Sequence, residues 1–471
     1  MRSPNRADSD AVGAGPVGAG PVEVGPVEVG REVAESGVDT ARTLAHPHWA
    51  EADTDVLISD GQSPLRVTSG KVTCMPYYRR VGDVPHKRHT QFRKADGSLY
   101  AEELMGVEGF SSDSALLYHE HLPTAIVHSE AFDGPQWTRQ SNYPLRPRHF
   151  VTHKLDAPGS DAITGRQHLL ANADCRISYS LADTPSPLYR NAIGDECVFV
   201  ESGTARFESV LGAFDIGPGD YVVIPTSTTY RIVPTGADPL RTLSTEATGH
   251  IGPPRRYLSA RGQFLENAPF CERDLRAPTE PFTATGEDVE VLVQHRSSDH
   301  TGGVGWTKFT YAHHPFDVVG WDGGLYPYAF NIADFEPITG RVHQPPTVHQ
   351  TFEGPNFVIC SFVPRKVDYH PDSIPVPYNH ANVDSDEVLF YCGGDYEARK
   401  GAGIGQGSIS LHPSGFTHGP QPGAPERAIG IEYFDEVAVM IDTFRPLDLC
   451  LPAIACEDTG YAWTWAGRTL E

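Results

Sequence analysis

The fold of this chain is indicated first by HANVDSDEVLFYCGG, residues 380–394, and by GSISLHPSGFTH, residues 407–418. Both stretches combine short β-forming runs with turn-forming residues. Each has a counterpart in the first half of the chain, YRNAIGDECVFVESG at 189–203 and GDYVVIPTSTTY at 219–230. The four stretches keep the same order in both places, which indicates an internal repeat.

The two copies align without a gap within each stretch. The matching positions are Asn191 with Asn382, Asp195 with Asp386, Glu196 with Glu387, Gly203 with Gly394, Gly219 with Gly407 and Pro225 with Pro413. Such a repeat implies two copies of one β-domain. Short β-like runs between Gly- and Pro-containing turns continue along the chain, so we expect an all-β dominated fold containing a duplicated barrel.

Three side chains of the second copy have the chemistry of metal ligands: His380, Glu387 and His418. The first two are seven residues apart, an offset that places side chains on opposite faces of one straight strand. Turn formers lie between them, so the chain can fold back and aim both inward. With His418 from a later strand, two imidazoles and one carboxylate would form the facial triad of non-haem Fe(II) oxygenases.

These stretches resemble the two sequence motifs of the cupin family. The first motif fits residues 380–394, with Asn382 in place of the middle His and Ile374 in place of the leading Gly. The second motif fits residues 407–418 at every position. The resemblance implies two cupin barrels, of which the second would bind a metal.

The first copy lacks the histidines of the second. Tyr189 and Tyr230 stand where His380 and His418 stand, and of the three candidate ligands only the carboxylate of Glu196 is retained. One carboxylate does not make a metal site. We therefore predict that the N-terminal barrel is degenerate, metal-free and structural.

Composition limits the function classes further. The 471 residues carry a net charge of −24, which argues against nucleic acid as a partner. Apolar runs are too short to span a membrane, and the eight cysteines are scattered without a CxxC pair. With no apolar stretch of signal-peptide length at the start, we expect a cytoplasmic protein.

The first 74 residues differ from the rest of the chain. Residues 15–30 repeat GPVGA, GPVEV and GPVEV, and aromatic residues are almost absent before Met75. We predict a disordered, low-complexity leader at 1–74, an N-terminal region with the metal-free barrel at 75–280, and the metal-binding barrel at 281–471.

From about Met75 to about Leu449 the chain resembles the homogentisate 1,2-dioxygenase family. The segments that carry the resemblance are LYAEELMGVEGF (99–110), LLYHEHLP (116–123), PFDVVGWDGGLYPYAFNIADF (315–335), PYNHANVDSDE (377–387) and FTHGP (416–420). It implies a two-cupin Fe(II) enzyme that converts homogentisate and O2 to maleylacetoacetate, a step of tyrosine and phenylalanine catabolism. It also implies a homo-oligomer, a trimer or a hexamer built from trimers.

The resemblance also implies roles for individual residues. The iron ligands would be His380, Glu387 and His418, although one extra residue before Glu387 gives Asp386 some claim as the carboxylate. The active-site base would be His343, with His349 as a rival. Tyr396 would lie near the substrate hydroxyl, and His412, together with His418, would line the substrate pocket.

Three alternatives stay open at this point. A related ring-cleaving dioxygenase could act on gentisate or another hydroquinone with the same metal site. A metal-dependent cupin isomerase would work without consuming oxygen and would accept zinc. A non-catalytic bicupin binding protein would have no reason to keep the three ligands. The sequence does not identify the group that receives the substrate carboxylate.

Overall fold

The computed structural model describes residues 77–135, 138–296, 304–337, 339 and 348–466. The predicted leader at 1–74 and the candidate base His343 therefore lie outside the described residues. Within the described ranges the chain is built mainly from strands and contains only short helices, so the predicted all-β class is confirmed.

Strands β1 to β6 precede the first repeat copy and end where the first barrel begins. Their bounds are β1 (Arg79–Gly82), β2 (Ala101–Gly106), β3 (Ser114–His119), β4 (Ile126–Ala131), β5 (Arg139–Gln140) and β6 (Arg148–Val151).

Strands β7 to β16 contain the first repeat copy. Their bounds are β7 (Gln167–Ala171), β8 (Cys175–Ala182), β9 (Leu188–Asn191), β10 (Glu196–Ser202), β11 (Ala205–Ser209), β12 (Gly212–Ile216), β13 (Asp220–Ile224), β14 (Thr229–Pro234), β15 (Leu240–Ala247) and β16 (Leu275–Arg276).

Strands β17 to β28 contain the second copy. Their bounds are β17 (Val289–Arg296), β18 (Val304–Tyr311), β19 (Val318–Gly323), β20 (Tyr328–Asn331), β21 (Gln350–Gly354), β22 (Phe357–Phe362), β23 (Arg365–Lys366), β24 (Asp386–Gly394), β25 (Ser408–His412), β26 (Tyr433–Phe434), β27 (Glu436–Thr443) and β28 (Asp448–Cys450).

The helices of the described residues are one or two turns long. Two are α-helices, α1 (Ala424–Ala428) and α2 (Leu451–Ala455). The others are 3-10 turns at Glu108–Phe110, Thr152–Leu155, Arg255–Tyr257, Glu272–Asp274, Ile332–Asp334, Glu397–Arg399 and Tyr461–Ala466. No helix in the described ranges has the length and hydropathy needed to cross a membrane.

The first barrel is closed by two sheets. One has nine strands in the order β16-β20-β13-β10-β15-β8-β7-β28-β5, and the other has seven in the order β12-β11-β14-β9-β17-β18-β4. Because side chains alternate across a strand, Val198 and Val200 of β10 enter the barrel interior. There they join Val222 and Phe207 in a buried apolar cluster that both sheets supply.

The second barrel is built on a six-stranded sheet with the order β21-β22-β27-β24-β25-β6. Its apolar face, with Val388 and Phe390 of β24, belongs to the same large cluster as Phe199 of β10. The Phe199 and Phe390 rings, which occupy equivalent repeat positions, meet edge to face with centroids 6.4 Å apart. The two main sheets therefore pack against each other through matching residues.

The opposite face of the second sheet is polar. Glu387, Leu389 and Tyr391 alternate along β24, and Ser410 and His412 point the same way from β25. In the first copy, Val198, Val200 and Val222 occupy the positions equivalent to Leu389, Tyr391 and Ser410. The two copies thus share a backbone plan, but the second replaces two of these valines with the polar residues Tyr391 and Ser410.

Glycine is required at the end of the β24 strand. Gly394 has a φ of +83°, and its repeat partner Gly203 has a φ of +78°. A Cβ atom at Gly394 would overlap the backbone carbonyl oxygen of Asp435. The motif glycine is therefore explained by both backbone conformation and close approach of the neighbouring strand.

Strands are exchanged between the two halves of the chain. Strand β6 pairs with β25 of the second copy, whereas β20 pairs with β13 and β17 pairs with β9 of the first copy. Strands β17, β18 and β20 thus belong to the sheets of the first barrel although they follow the expected boundary at 280/281. That boundary stays a prediction, and the exchange ties the two barrels into one core.

Candidate metal centre

A backbone bridge brings the two candidate histidine ligands together. The amide of His380 donates to the carbonyl of His418, and the amide of His418 donates back to the carbonyl of His380, both at 2.8 Å. The two rings are consequently near neighbours, with centroids 4.4 Å apart and planes inclined at 60°. The backbone pairing thus holds the two imidazoles side by side.

Backbone carbonyls orient both imidazoles. Nδ1 of His380 lies 3.0 Å from the carbonyl oxygen of Tyr378, and Nδ1 of His418 lies 3.1 Å from that of Phe416. A carbonyl only accepts, so each Nδ1 carries the proton and each Nε2 keeps its lone pair. This is the tautomer in which Nε2 can bind a metal.

Glu387 supplies the carboxylate of the group. Its Oε1 lies 3.3 Å from Nε2 of His418, and its Oε2 lies 3.8 Å from Nε2 of His380. One ligand atom from each of the three residues falls within 4.8 Å of the others. Burial acts to raise the pKa of Glu387, but the three neighbouring imidazoles of His380, His412 and His418 outweigh it and hold that pKa well below its usual range.

His412 also contacts the Glu387 carboxylate, and its ring stacks on that of His418 with centroids 4.1 Å apart. It faces Glu387 across the β24–β25 ladder, with Nδ1 2.9 Å from Oε1 of Glu387 and Nε2 3.0 Å from the hydroxyl of Tyr461. Burial lowers the pKa of His412 to about 3, so the ring is neutral. One proton between Nδ1 and Glu387, with Tyr461 donating to Nε2, satisfies all of these contacts.

Asp386 takes a different part from its neighbour Glu387. Its two carboxylate oxygens accept the amides of Ser414 and Leu447, both at 2.8 Å. Its repeat partner Asp195 does the same, accepting the amides of Thr226 at 2.8 Å and of Ile251 at 2.9 Å. The aspartate at this position therefore holds loops against the start of the strand in both copies. In the second copy, the Asp386 side chain points away from the histidines.

The donor set fits a metal ion. Nε2 of His418 is buried and has no hydrogen-bond partner among the described residues, and the same holds for Oδ1 of Asp442 opposite Glu387 in the ladder. An orphaned imidazole nitrogen beside a buried carboxylate is costly unless a cation joins them. Two nitrogens and one oxygen on one side of an ion also leave positions open for other ligands.

The first copy has a buried arginine at the corresponding place. Nη1 of Arg166 lies 2.6 Å from Glu196 and 3.0 Å from Glu246, while Nη2 donates to the hydroxyl of Tyr230 at 3.1 Å. Tyr230 in turn donates to Glu196 at 2.6 Å. Glu246 faces Glu196 as Asp442 faces Glu387, so a guanidinium sits where the second copy has three candidate ligands.

Tyr396 and His349, also singled out in the sequence, contact residues other than the three ligands. The hydroxyl of Tyr396 donates to the carbonyl of Val437 at 3.3 Å. His349 is buried, stacks on Phe362 with centroids 4.4 Å apart, and leaves Nδ1 without a partner among the described residues. Burial, followed by the charge of Arg365, lowers the pKa of His349 to about 3.

The sequence analysis missed Arg166, Asp442 and Tyr461. Arg166 lies outside the aligned stretches, so the repeat gives no counterpart that would direct attention to it. A signal for Asp442 exists in principle, because Glu246 precedes the end of its strand as Asp442 does. Tyr461 lies in a 3-10 turn near the C-terminus, and nothing local marks it as a neighbour of His412.

Comparison with known proteins identifies the relatives of this chain. A family model described as the N-terminal part of homogentisate 1,2-dioxygenase matches residues 148–332, which run from β6 into the turn after β20. A Saccharolobus solfataricus protein, provisionally named a dioxygenase, is 37% identical over 399 residues, covering 83% of this chain and 99% of that protein.

More distant relatives carry a definite name. Homogentisate 1,2-dioxygenase of Rhodopseudomonas palustris is 27% identical over 376 residues, covering 74% of this chain and 80% of that enzyme. The enzyme of Bradyrhizobium diazoefficiens is 28% identical over 425 residues, covering 82% and 90%. The resemblance inferred from the sequence motifs is confirmed, and the chain is an enzyme that belongs to the homogentisate 1,2-dioxygenase family.

Proposed function

We propose that this chain is an Fe(II)-dependent dioxygenase that cleaves the ring of homogentisate with O2 and forms maleylacetoacetate. The observation that carries the proposal is the group formed by His380, Glu387 and His418, whose ligand atoms lie within 4.8 Å of one another in a polar barrel interior. Membership of the family supports the reaction class, while substrate and metal are the proposed parts.

Fe(II) would be held by Nε2 of His380, Nε2 of His418 and the carboxylate of Glu387. Bound iron would supply a Lewis acid for the ring hydroxyl and a path for electrons between ring and O2. His412, held in turn by Tyr461, would keep the Glu387 carboxylate in one orientation, because its Nδ1 contacts Oε1, the oxygen that also faces His418.

A base must take a proton from the phenol, whose pKa of about 10 keeps it protonated at neutral pH. His343 is the residue that the family resemblance assigns, and it lies outside the described residues. His349 is the rival, but burial lowers its pKa to about 3, which makes its neutral ring a weak base at neutral pH. Both stay proposals, as does Tyr396 beside the substrate.

Oxygen uptake tests the proposal directly. The protein would be loaded anaerobically with Fe(II), mixed with homogentisate and exposed to a known amount of O2. We expect one O2 consumed per substrate and formation of a ring-opened product. Gentisate serves as the competing substrate, and faster turnover of gentisate would overturn the assigned substrate while leaving the reaction class in place.

The matched control uses the two repeat copies. Glu387→Gln removes a proposed ligand, whereas Glu196→Gln alters the equivalent carboxylate beside Arg166. We expect the first variant to lose most of its bound iron and its oxygen uptake, and the second to keep one iron per chain. Oxygen uptake that yields no ring-opened product, or a full equivalent of iron bound to Glu387→Gln, would contradict the proposed site.

Two further predictions belong with this function. The family resemblance implies a trimer or hexamer, and the composition favours a cytoplasmic enzyme whose partners are a small aromatic substrate and O2. Sedimentation of the purified protein at micromolar concentration would show whether it assembles.

A further inference from the structure

One buried arginine near the candidate metal centre stands out by its lack of an ionic partner. Four arginines are buried in the described part of the chain: Arg148, Arg166, Arg176 and Arg399. The first three pair with carboxylates at 2.9, 2.6 and 3.3 Å. Arg399 has no carboxylate within 4.0 Å among the described residues, although it is only 8% exposed.

The acidic residue next to Arg399 is already neutralised by other cations. Glu397 begins the same 3-10 turn, and its carboxylate binds Lys400 and Arg427, each at 3.2 Å. The contacts of Arg399 are instead neutral: Nε donates to the hydroxyl of Tyr391 at 3.3 Å, and Nη1 donates to the carbonyl of Gly419. A buried charge without a counter-charge is unfavourable, so an anion bound there would be stabilised.

These neutral contacts place the guanidinium on the wall of the second barrel. Gly419 follows the candidate ligand His418, and Tyr391 lies on the same face of β24 as Glu387. Tyr391 also meets Ser410, two residues before His412, at 3.1 Å. The guanidinium carbon lies 5.9 Å from the centre of the Trp465 ring, which is itself 6.4 Å from the ring of His412.

We propose that Arg399 receives the carboxylate of the substrate, so that the site selects dihydroxyphenyl compounds bearing an anionic side chain over neutral hydroquinones. The proposal rests on the proposed function. A metal ion with one carboxylate and two neutral imidazoles carries one excess positive charge, and Arg399 adds a second. A ring that presents one ionised hydroxyl and one carboxylate would match both.

Arginine suits this task because its planar guanidinium can bind a carboxylate through two parallel N–H donors. Two of its nitrogens already donate, Nε to Tyr391 and Nη1 to Gly419, which holds the group in place before the substrate arrives and leaves the further N–H groups of Nη1 and Nη2 for a carboxylate. Trp465 donates to the same Gly419 carbonyl at 3.2 Å and packs beside the guanidinium, which limits its movement. A preorganised charge of this kind contributes to selectivity because little ordering is left for the binding step.

The test compares two ligands that differ only in charge, homogentisate and 2,5-dihydroxyphenylacetamide. Binding is measured anaerobically by calorimetry on the full-length, Zn(II)-loaded protein, and turnover is measured separately on the Fe(II) protein. We expect wild type to favour the acid over the amide, and Arg399→Met to weaken acid binding about 10- to 100-fold, the range for a charge-assisted hydrogen bond. Amide binding should change less than about threefold.

Two variants guard against a folding effect. Arg399→Lys keeps the charge and should retain part of the preference for the acid. Arg427→Met disturbs the same 3-10 turn through Glu397 and should leave the preference unchanged. Equal losses for acid and amide in Arg399→Met would assign a merely structural role to Arg399 and overturn the proposal.

The binding measurement on the Zn(II)-loaded protein distinguishes a failure of this proposal from a failure of the proposed function. If wild type binds the acid in preference to the amide and Arg399→Met does not, the carboxylate receptor is supported even when no oxygen is consumed. If oxygen is consumed with homogentisate but acid and amide bind wild type equally, the function stands and Arg399 as receptor fails.

Discussion

Neighbouring carboxylates of one strand can have unrelated tasks because alternate residues face opposite sides. Asp386 and Glu387 are adjacent, yet the first accepts two loop amides and the second faces the histidines. The sequence favours Glu387 as the metal ligand but leaves Asp386 some claim, because one extra residue separates Glu387 from His380. The structure separates them through hydrogen bonds that also occur at Asp195 in the first copy.

Replacing Asp386 with Asn should cost stability and leave metal binding intact. The amide keeps one acceptor but turns an NH2 group toward a backbone amide, so a buried N–H loses its partner. We expect a loss of about 1–3 kcal/mol in the free energy of unfolding, measured by urea denaturation. Metal content should stay at one ion per chain, and Asp195→Asn, the repeat equivalent, should show a similar loss.

The opposite outcome would be informative as well. An Asp386→Asn protein of wild-type stability that no longer binds metal would identify Asp386 as the ligand in place of Glu387.

At the scale of the element, a barrel needs something to fill its interior, and the two copies solve this differently. The first fills it with Val198, Val200 and Val222 around a buried ion network, and the second keeps polar groups. Sequence predicted this contrast at Tyr189 and Tyr230, which replace the histidines. It could not predict the guanidinium between them, because Arg166 comes from the turn before β7, outside the repeat.

The Arg166 network should matter more for stability than an ordinary ion pair. Arg166, Glu196 and Glu246 are each at most 6% exposed, and Arg166 joins β10, β15 and, through Tyr230, β14. In Arg166→Met, two buried glutamates would keep only Arg176 at 3.3 Å as a cation. We expect a loss of about 3–5 kcal/mol in the free energy of unfolding, followed by urea denaturation with circular dichroism.

A double variant provides the control for Arg166. Adding Glu196→Gln to Arg166→Met removes one uncompensated charge, so part of the stability should return. A loss below about 1 kcal/mol in the single variant, or no recovery in the double variant, would mean that the glutamates are already neutral without the arginine.

The whole molecule is assembled by contacts that span long stretches of sequence. Strand β6 completes the second barrel, β17 and β20 complete the first, and β1 pairs with β19 across more than 200 residues. The repeat predicts what is inside each barrel, because each copy is local in sequence. Strand exchange could not be predicted, because the sequence of a short strand does not indicate which distant strand it pairs with.

A buried histidine fastens the N-terminal strands to this assembly. His119, at the end of β3, has Nδ1 2.6 Å from Asp317, just before β19, and Nε2 3.0 Å from Glu103 of β2. Burial acts to lower the pKa of His119, but its two carboxylate partners outweigh it and raise that pKa from 6.5 to about 9. The pKa values of Glu103 and Asp317 are correspondingly lowered, against the effect of burial, by the protonated ring.

The ion pairs of His119 with Glu103 and Asp317 predict a loss of stability in mild alkali. The pKa of His119 is higher in the folded than in the unfolded protein. Its contribution to the free energy of unfolding is therefore complete below pH 6.5, declines as pH rises and is gone once pH passes about 9. Glu103 is partly exposed, so we expect on the order of 2 kcal/mol. The free energy of unfolding would be measured by urea denaturation from pH 6 to 9.5 for wild type and His119→Gln. The difference between the two proteins should shrink toward high pH, and a constant difference would show that His119 is neutral in the folded protein.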